Sequence, residues 1–308
     1  MEDQQAETVA VKPLWRRVAD FPLVAMLLAI AIFVLAYAAP VLLVRALPPM
    51  DQLSTLSILA ILQIGLLFAA YKLLIRHLGR ERRDDLPLAG APKGLALGLV
   101  GGFILFSAVV GVAAVADVYN IIGEGSTAAL LTALIAIAII PGFTEELMFR
   151  GILFRWLEEF GGSWFALALT SALFGLGHIF NSGATVFSSF AIAMEAGILL
   201  GAAYMLTRNL WVPIGLHAAW NFTQGEIWDV PVSGFDQNGL VEARLSGPEI
   251  LSGGTFGLEA SIFALILCTA AGVWLLVLAI RRGQLVRAYW VRRRLAAPAP
   301  EGGGVQEV

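Results

Sequence analysis

Six polar side chains stand where the surrounding sequence makes them expensive, and they fall in three short clusters: Glu145, Glu146 and Arg150; His178; and His217 with Asn221. Each lies in or beside a long apolar run, where an ionisable group costs at least ~2.5–3.5 kcal/mol on insertion scales. On a helix, Glu146 and Arg150 are four residues apart, share a face and can pair. Glu145 is turned about 100° away and is left free to work as a base. His178 follows Phe174-Gly175-Leu176-Gly177, and a hairpin turning at Gly161-Gly162 sets Glu145 and His178 equally far from the turn, at matching depth on adjacent helices. His217 and Asn221 also lie four apart, and a carboxamide beside an imidazole offers the fixed donors that a developing oxyanion needs. The plainer alternatives are a hydrogen-bonded structural histidine at 178 and helix-to-helix polar contacts at 217 and 221, worth ~0.6 kcal/mol each. Glu195, inside another apolar run, reads equally as a structural acid or as a site residue.

Membrane helices must carry these groups. The 308 residues are 58% hydrophobic and 14% charged, with a mean hydropathy of +0.81, against roughly 25% charged for soluble domains. Long uncharged runs predict eight spans: Phe21–Val44, Gln52–Tyr71, Gly94–Ala116, Gly125–Thr144, Trp164–Phe180, Thr185–Leu206, Trp211–Thr223 and Ala260–Ile280. All but the fifth and seventh approach the ~20 residues that cross a bilayer, where only a helix satisfies its own backbone. For the fourth run two outcomes are open. Pro141 ends the helix and the acids mark the interface, or the helix continues to Gly161 and Glu145 sits within the membrane.

Charge tests the count. Of 20 Lys and Arg, 18 fall on one side of the predicted alternation, and only Arg45 and Arg244 fall on the other. Basic loops stay cytoplasmic, so both termini are expected there. The expected organisation is all-α: a cytoplasmic segment 1–20, a single membrane domain 21–295 with its polar core at about 130–222, and a disordered tail 296–308. The connection from Glu226 to Glu259 holds six acids against one Arg and reads as an external loop, either a flap or a solvated linker. The net charge of −3 gives no sign of a nucleic-acid partner. Cys268 is alone and can form no intramolecular disulfide.

Glu145-Glu146-x-x-x-Arg150, then Phe174-x-x-x-His178, then His217-x-x-x-Asn221, in this order on three polar-bearing spans, resembles the CPBP family of intramembrane proteases. That family includes the type II CAAX prenyl endopeptidases and the bacterial Abi bacteriocin-immunity-type proteins. The resemblance covers about Leu130 to Phe222 and includes Leu210-Trp211-Val212-Pro213-Ile214 ahead of the second histidine. It implies an endopeptidase in which Glu145 and His178 activate water, His217 and Asn221 stabilise the oxyanion, and Glu146, Arg150 and Phe174 support them. It further implies a peptide or membrane-protein substrate, contact with lipid, and cleavage near the cytoplasmic leaflet, and the Ala- and Gly-rich composition suggests a bacterial inner membrane. No cofactor is expected. The alternative is zinc held by Glu145, His178 and His217, although the HExxH helix that supplies neighbouring ligands is absent. Outside proteolysis, the same residues suit a non-catalytic immunity or chaperone-type partner, or a proton-coupled transporter using Glu145 and Glu195.

Overall fold

The computed structural model describes residues 13–80 and 82–296. The start of the expected N-terminal segment, and the expected tail after Ala296, lie outside the described residues.

Seven helices are long and apolar enough to span a membrane: α1 (Pro22–Arg45), α2 (Gln52–His77), α3 (Ala91–Val115), α4 (Leu130–Gly161), α5 (Ser163–Phe180), α6 (Val186–Thr207) and α8 (Ile262–Arg281). The eighth expected span, α7, is the shorter helix Trp211–Phe222, which one π-helical turn, Thr223–Ile227, extends. The chain is thus an all-α polytopic bundle. Local chemistry fixes several helix starts. Asp51 caps α2 by accepting from the Ser54 amide at 2.9 Å. Thr185 and Ser188 form a reciprocal capping box at the start of α6, and Ser261 caps α8.

For the fourth span, one expected boundary changes and one open alternative is decided. It begins at Leu130, not Gly125, because Tyr119–Glu124 (β1) pairs antiparallel with Val241–Leu245 (β2). It continues past Thr144 to Gly161, so Pro141 lies inside a 32-residue helix. Proline supplies no N–H to the carbonyl four residues earlier. Here that carbonyl, on Ile137, accepts a hydrogen bond from Asn221 Nδ2 at 2.9 Å. The helix answers the proline with a π-helical stretch, Leu134–Ile139, and has a second one at Leu147–Phe154.

Small residues let the site helices close on their neighbours. A Cβ on Gly98 would lie 2.2 Å from the Val212 carbonyl oxygen, and one on Gly102 would lie 2.4 Å from that of Leu216. Gly98 and Gly102 of α3 therefore pack directly on the backbone of α7, and Gly94, one turn earlier, packs against the side chains of Asn209 and Trp211. Gly175 does the same for α5 against α6, where its Cβ would meet the Ser189 oxygen at 2.2 Å.

The two ends of the bundle differ in charge. At one end, buried Asp85 accepts from Arg83 Nε at 2.5 Å, Arg155 Nη1 at 3.2 Å and the Tyr204 hydroxyl at 2.9 Å. Arg208 reaches Glu158 through two bonds of 2.6 and 2.9 Å, and the helix Tyr289–Ala296 docks there through Arg292 on the Glu159 carbonyl. At the other end lie the β1–β2 pair and the folded connection up to Glu259, fastened by the Tyr119 hydroxyl donating to the Trp228 carbonyl at 2.9 Å.

Candidate active site

The continuation of α4 decides where Glu145 goes. It is half-buried, makes no hydrogen bond or ion pair among the described residues, and faces a cavity of about 610 Å³. His178, His217 and Asn221 line the same cavity, so three helices, α4, α5 and α7, bring all four side chains around one space. Pro141, Phe149 and Phe174 contribute apolar wall.

Glu146, offset by about 100° from Glu145 on the helix, does not line the cavity. It is fully buried and its Oε1 accepts from Arg150 Nη1 at 2.7 Å and faces His217 Nδ1 at 2.9 Å. Arg150, also fully buried, donates further to the carbonyls of Ala196 and Gly197 at 3.2 and 3.3 Å, and its guanidinium lies 4.9 Å from the Phe174 ring centre. Phe174 packs edge-on to His217, with ring centres 6.0 Å apart. Arg150, which does not line the cavity, and Phe174, which does, thus hold Glu146 and His217 in place.

The hydrogen bonds of the imidazoles assign their protons. His178 Nδ1 sits 2.7 Å from the Phe174 carbonyl, and a carbonyl can only accept, so Nδ1 carries the hydrogen. In the neutral ring Nε2 is then a bare lone pair, suited to accept a proton. His217 donates its Nδ1 hydrogen to Glu146, so its Nε2 is a donor when the ring carries both protons. Asn221 spends one amide hydrogen on Ile137 and keeps the second.

Among the described residues, no group of three or more His, Cys, Asp or Glu side chains is arranged to hold a metal ion.

Two acids deepen the picture. Glu195 is buried behind the histidines in a small second chamber shared with His178, His217, Asn221 and Cys268, and neither of its carboxyl oxygens has a hydrogen-bond partner. Glu259 reaches the same chamber from the connection before α8, where its Oε1 accepts from the Ser233 amide at 2.5 Å. Burial pushes the Glu259 carboxyl up, an effect opposed by that amide and by His178. Ser233 is gripped from the other side by Asn181 Nδ2, which donates to its carbonyl at 3.1 Å. It holds a left-handed backbone conformation, φ 49°, that costs a residue with a side chain ~1–3 kcal/mol. Sequence spacing gives no hint of Glu259 or Ser233. They lie in an acid-rich connection, and only the tertiary fold brings them to the histidines.

Val232, Ser233, Phe235 and Gln237 close the cavity wall, and all belong to the end of the bundle opposite the arginine cluster. α5 starts beside that cluster, where the Ser163 amide and hydroxyl bond Val286, and its 15 α-helical residues carry His178 about 22 Å away. The site therefore lies away from the arginine-bearing end, so the expected cytoplasmic termini and the expected cleavage near the cytoplasmic leaflet cannot both hold.

Residues 127–223, which hold Glu145, His178, His217 and Asn221, match the family model described as type II CAAX prenyl endopeptidase Rce1-like. This agrees with the resemblance drawn from the three motifs, and it supports an intramembrane endopeptidase in general terms. No curated protein and no solved structure matches the chain.

Proposed function

We propose that the chain is a metal-independent intramembrane endopeptidase whose general base is Glu145. The observation that carries this reading is the meeting of Glu145, His178, His217 and Asn221 around one 610 Å³ cavity inside a bundle of membrane-length helices. A water between Glu145 and His178 Nε2 gives up a proton as its oxygen bonds to the carbonyl carbon of a bound peptide. Negative charge then develops on the carbonyl oxygen, and the His217 Nε2 hydrogen and the free Asn221 amide hydrogen are the donors available to it. Collapse breaks the carbon–nitrogen bond, and the proton taken from water passes to the departing amine. Glu146 and Arg150 act through His217, as positioning residues. With 18 of 20 basic residues on one side, the reading also puts both termini in the cytoplasm.

Cleavage of a fluorogenic peptide library by the purified protein tests the reading against Glu145→Gln and His178→Ala. Both variants should fold as the parent does and lose cleavage. Retained cleavage in folded Glu145→Gln would overturn the assignment. A biological effect undiminished in both variants would favour the non-catalytic partner.

A further inference from the structure

We propose that substrate enters the cavity from the exoplasmic side, as a polypeptide segment exposed at the outer membrane surface. The inference rests on the endopeptidase reading for what is bound, and on geometry and charge alone for where it enters.

Three observations carry it. First, the cavity wall is completed by Val232, Ser233, Phe235 and Gln237, from the acid-rich connection between α7 and α8. This segment is built into the rim. Asn181 and Glu259 clamp Ser233 from opposite sides, and the Gly234 amide donates to the Phe256 carbonyl at 3.0 Å. Second, the way toward the arginine end is filled. Leu147, Phe154, Trp156, Tyr204 and Met205 are buried there in one packed cluster, with the Asp85, Arg155 and Tyr204 network beyond them. A lipidated C-terminus arriving from that end would meet a plug rather than a mouth. Third, the ends differ in charge in the sense that orients membrane proteins, because the arginine-rich end is the cytoplasmic one.

The rim fits a chain held at a lipid–water boundary. Phe235 is 59% exposed and Phe180 is 88% exposed at the same end of the bundle, and exposed Asp236 stands between Phe235 and Gln237. Apolar side chains of a substrate can therefore rest at the mouth while its backbone extends past Gln237 toward Glu145.

Single cysteines placed in the full-length Cys268→Ala protein test the direction of entry. Gln237→Cys at the rim and Arg82→Cys at the exposed arginine end are treated, in spheroplasts of a bacterial expression host, with a membrane-impermeant maleimide before and after lysis. Gln237→Cys should label in intact spheroplasts, and Arg82→Cys only after lysis. The reverse pattern, or labelling of Gln237→Cys only after lysis, overturns the proposal. Asn181→Cys, also in the cavity wall, gives a second reading should the Gln237 variant misfold, and it should behave as Gln237→Cys does. Peptide cleavage by Glu145→Gln, measured in parallel, refutes the endopeptidase reading alone if it persists, because the labelling pattern does not depend on it.

Discussion

The buried pair Glu146–Arg150 makes a quantitative demand on stability. Both side chains are fully buried, and the Arg150 guanidinium holds Glu146 at 2.7 Å and two α6 carbonyls at 3.2 and 3.3 Å. Replacing Arg150 by methionine keeps the apolar bulk and removes the charge, which leaves the Glu146 carboxylate with His217 as its remaining partner at 2.9 Å. Breaking a buried pair in this way costs about 3–5 kcal/mol, a drop of two to three and a half powers of ten in the folding equilibrium. Glu146→Gln should cost a comparable amount, because it leaves the guanidinium uncompensated while keeping an oxygen for His217. The double variant removes both charges, and its loss should fall short of the sum of the single losses by ~0.5–3 kcal/mol. Reversible denaturant unfolding in detergent micelles measures all four proteins. Losses that add to within about 0.3–0.5 kcal/mol would show that the two groups do not act on each other, and so refute the reasoning.

Asn221→Ala should lower turnover ~10²–10³-fold with little change in KM, since it removes a donor used only as charge develops; a change confined to KM would assign Asn221 to substrate positioning. Gly98→Ala would drive a methyl to within 2.2 Å of the Val212 oxygen and should destabilise the protein by ~1–3 kcal/mol, while half-buried Gly101, where an added Cβ would meet nothing within 4 Å, should accept alanine with little effect. Equal thermal stability of the two alanine variants would mean that α3 and α7 do not pack as described.

The helices were legible because each crossing needs a long apolar run, and Glu145, Glu146, Arg150, His178, His217 and Asn221 stood out because such runs exclude polar groups at little less than several kcal/mol apiece. The i, i+4 spacing of Glu146 and Arg150 foretold the ion pair that the structure forms. The strand pair was hidden. Tyr119–Glu124 and Val241–Leu245 are short and more than a hundred residues apart, and neither has a partner within its own stretch of sequence. The glycine stripe of α3 was present as Gly94-x-x-x-Gly98-x-x-x-Gly102, but the helix it serves depends on packing that no local pattern encodes. The depth match of Glu145 and His178 was visible, whereas the side from which they are reached was not. That side depends on Ser233 and Gln237, whose wall-forming role arises only when the α7–α8 connection folds back over α5.

The bond between Asn221 and the Ile137 carbonyl ties a gap in one helix to a working group on another. Pro141 creates an acceptor in need, and the carboxamide that meets the need is thereby given a fixed address at the cavity. An irregularity that would ordinarily loosen α4 becomes the registration mark by which α7 is aligned, so straightening α4 would set adrift the amide that the proposed mechanism aims at the oxyanion.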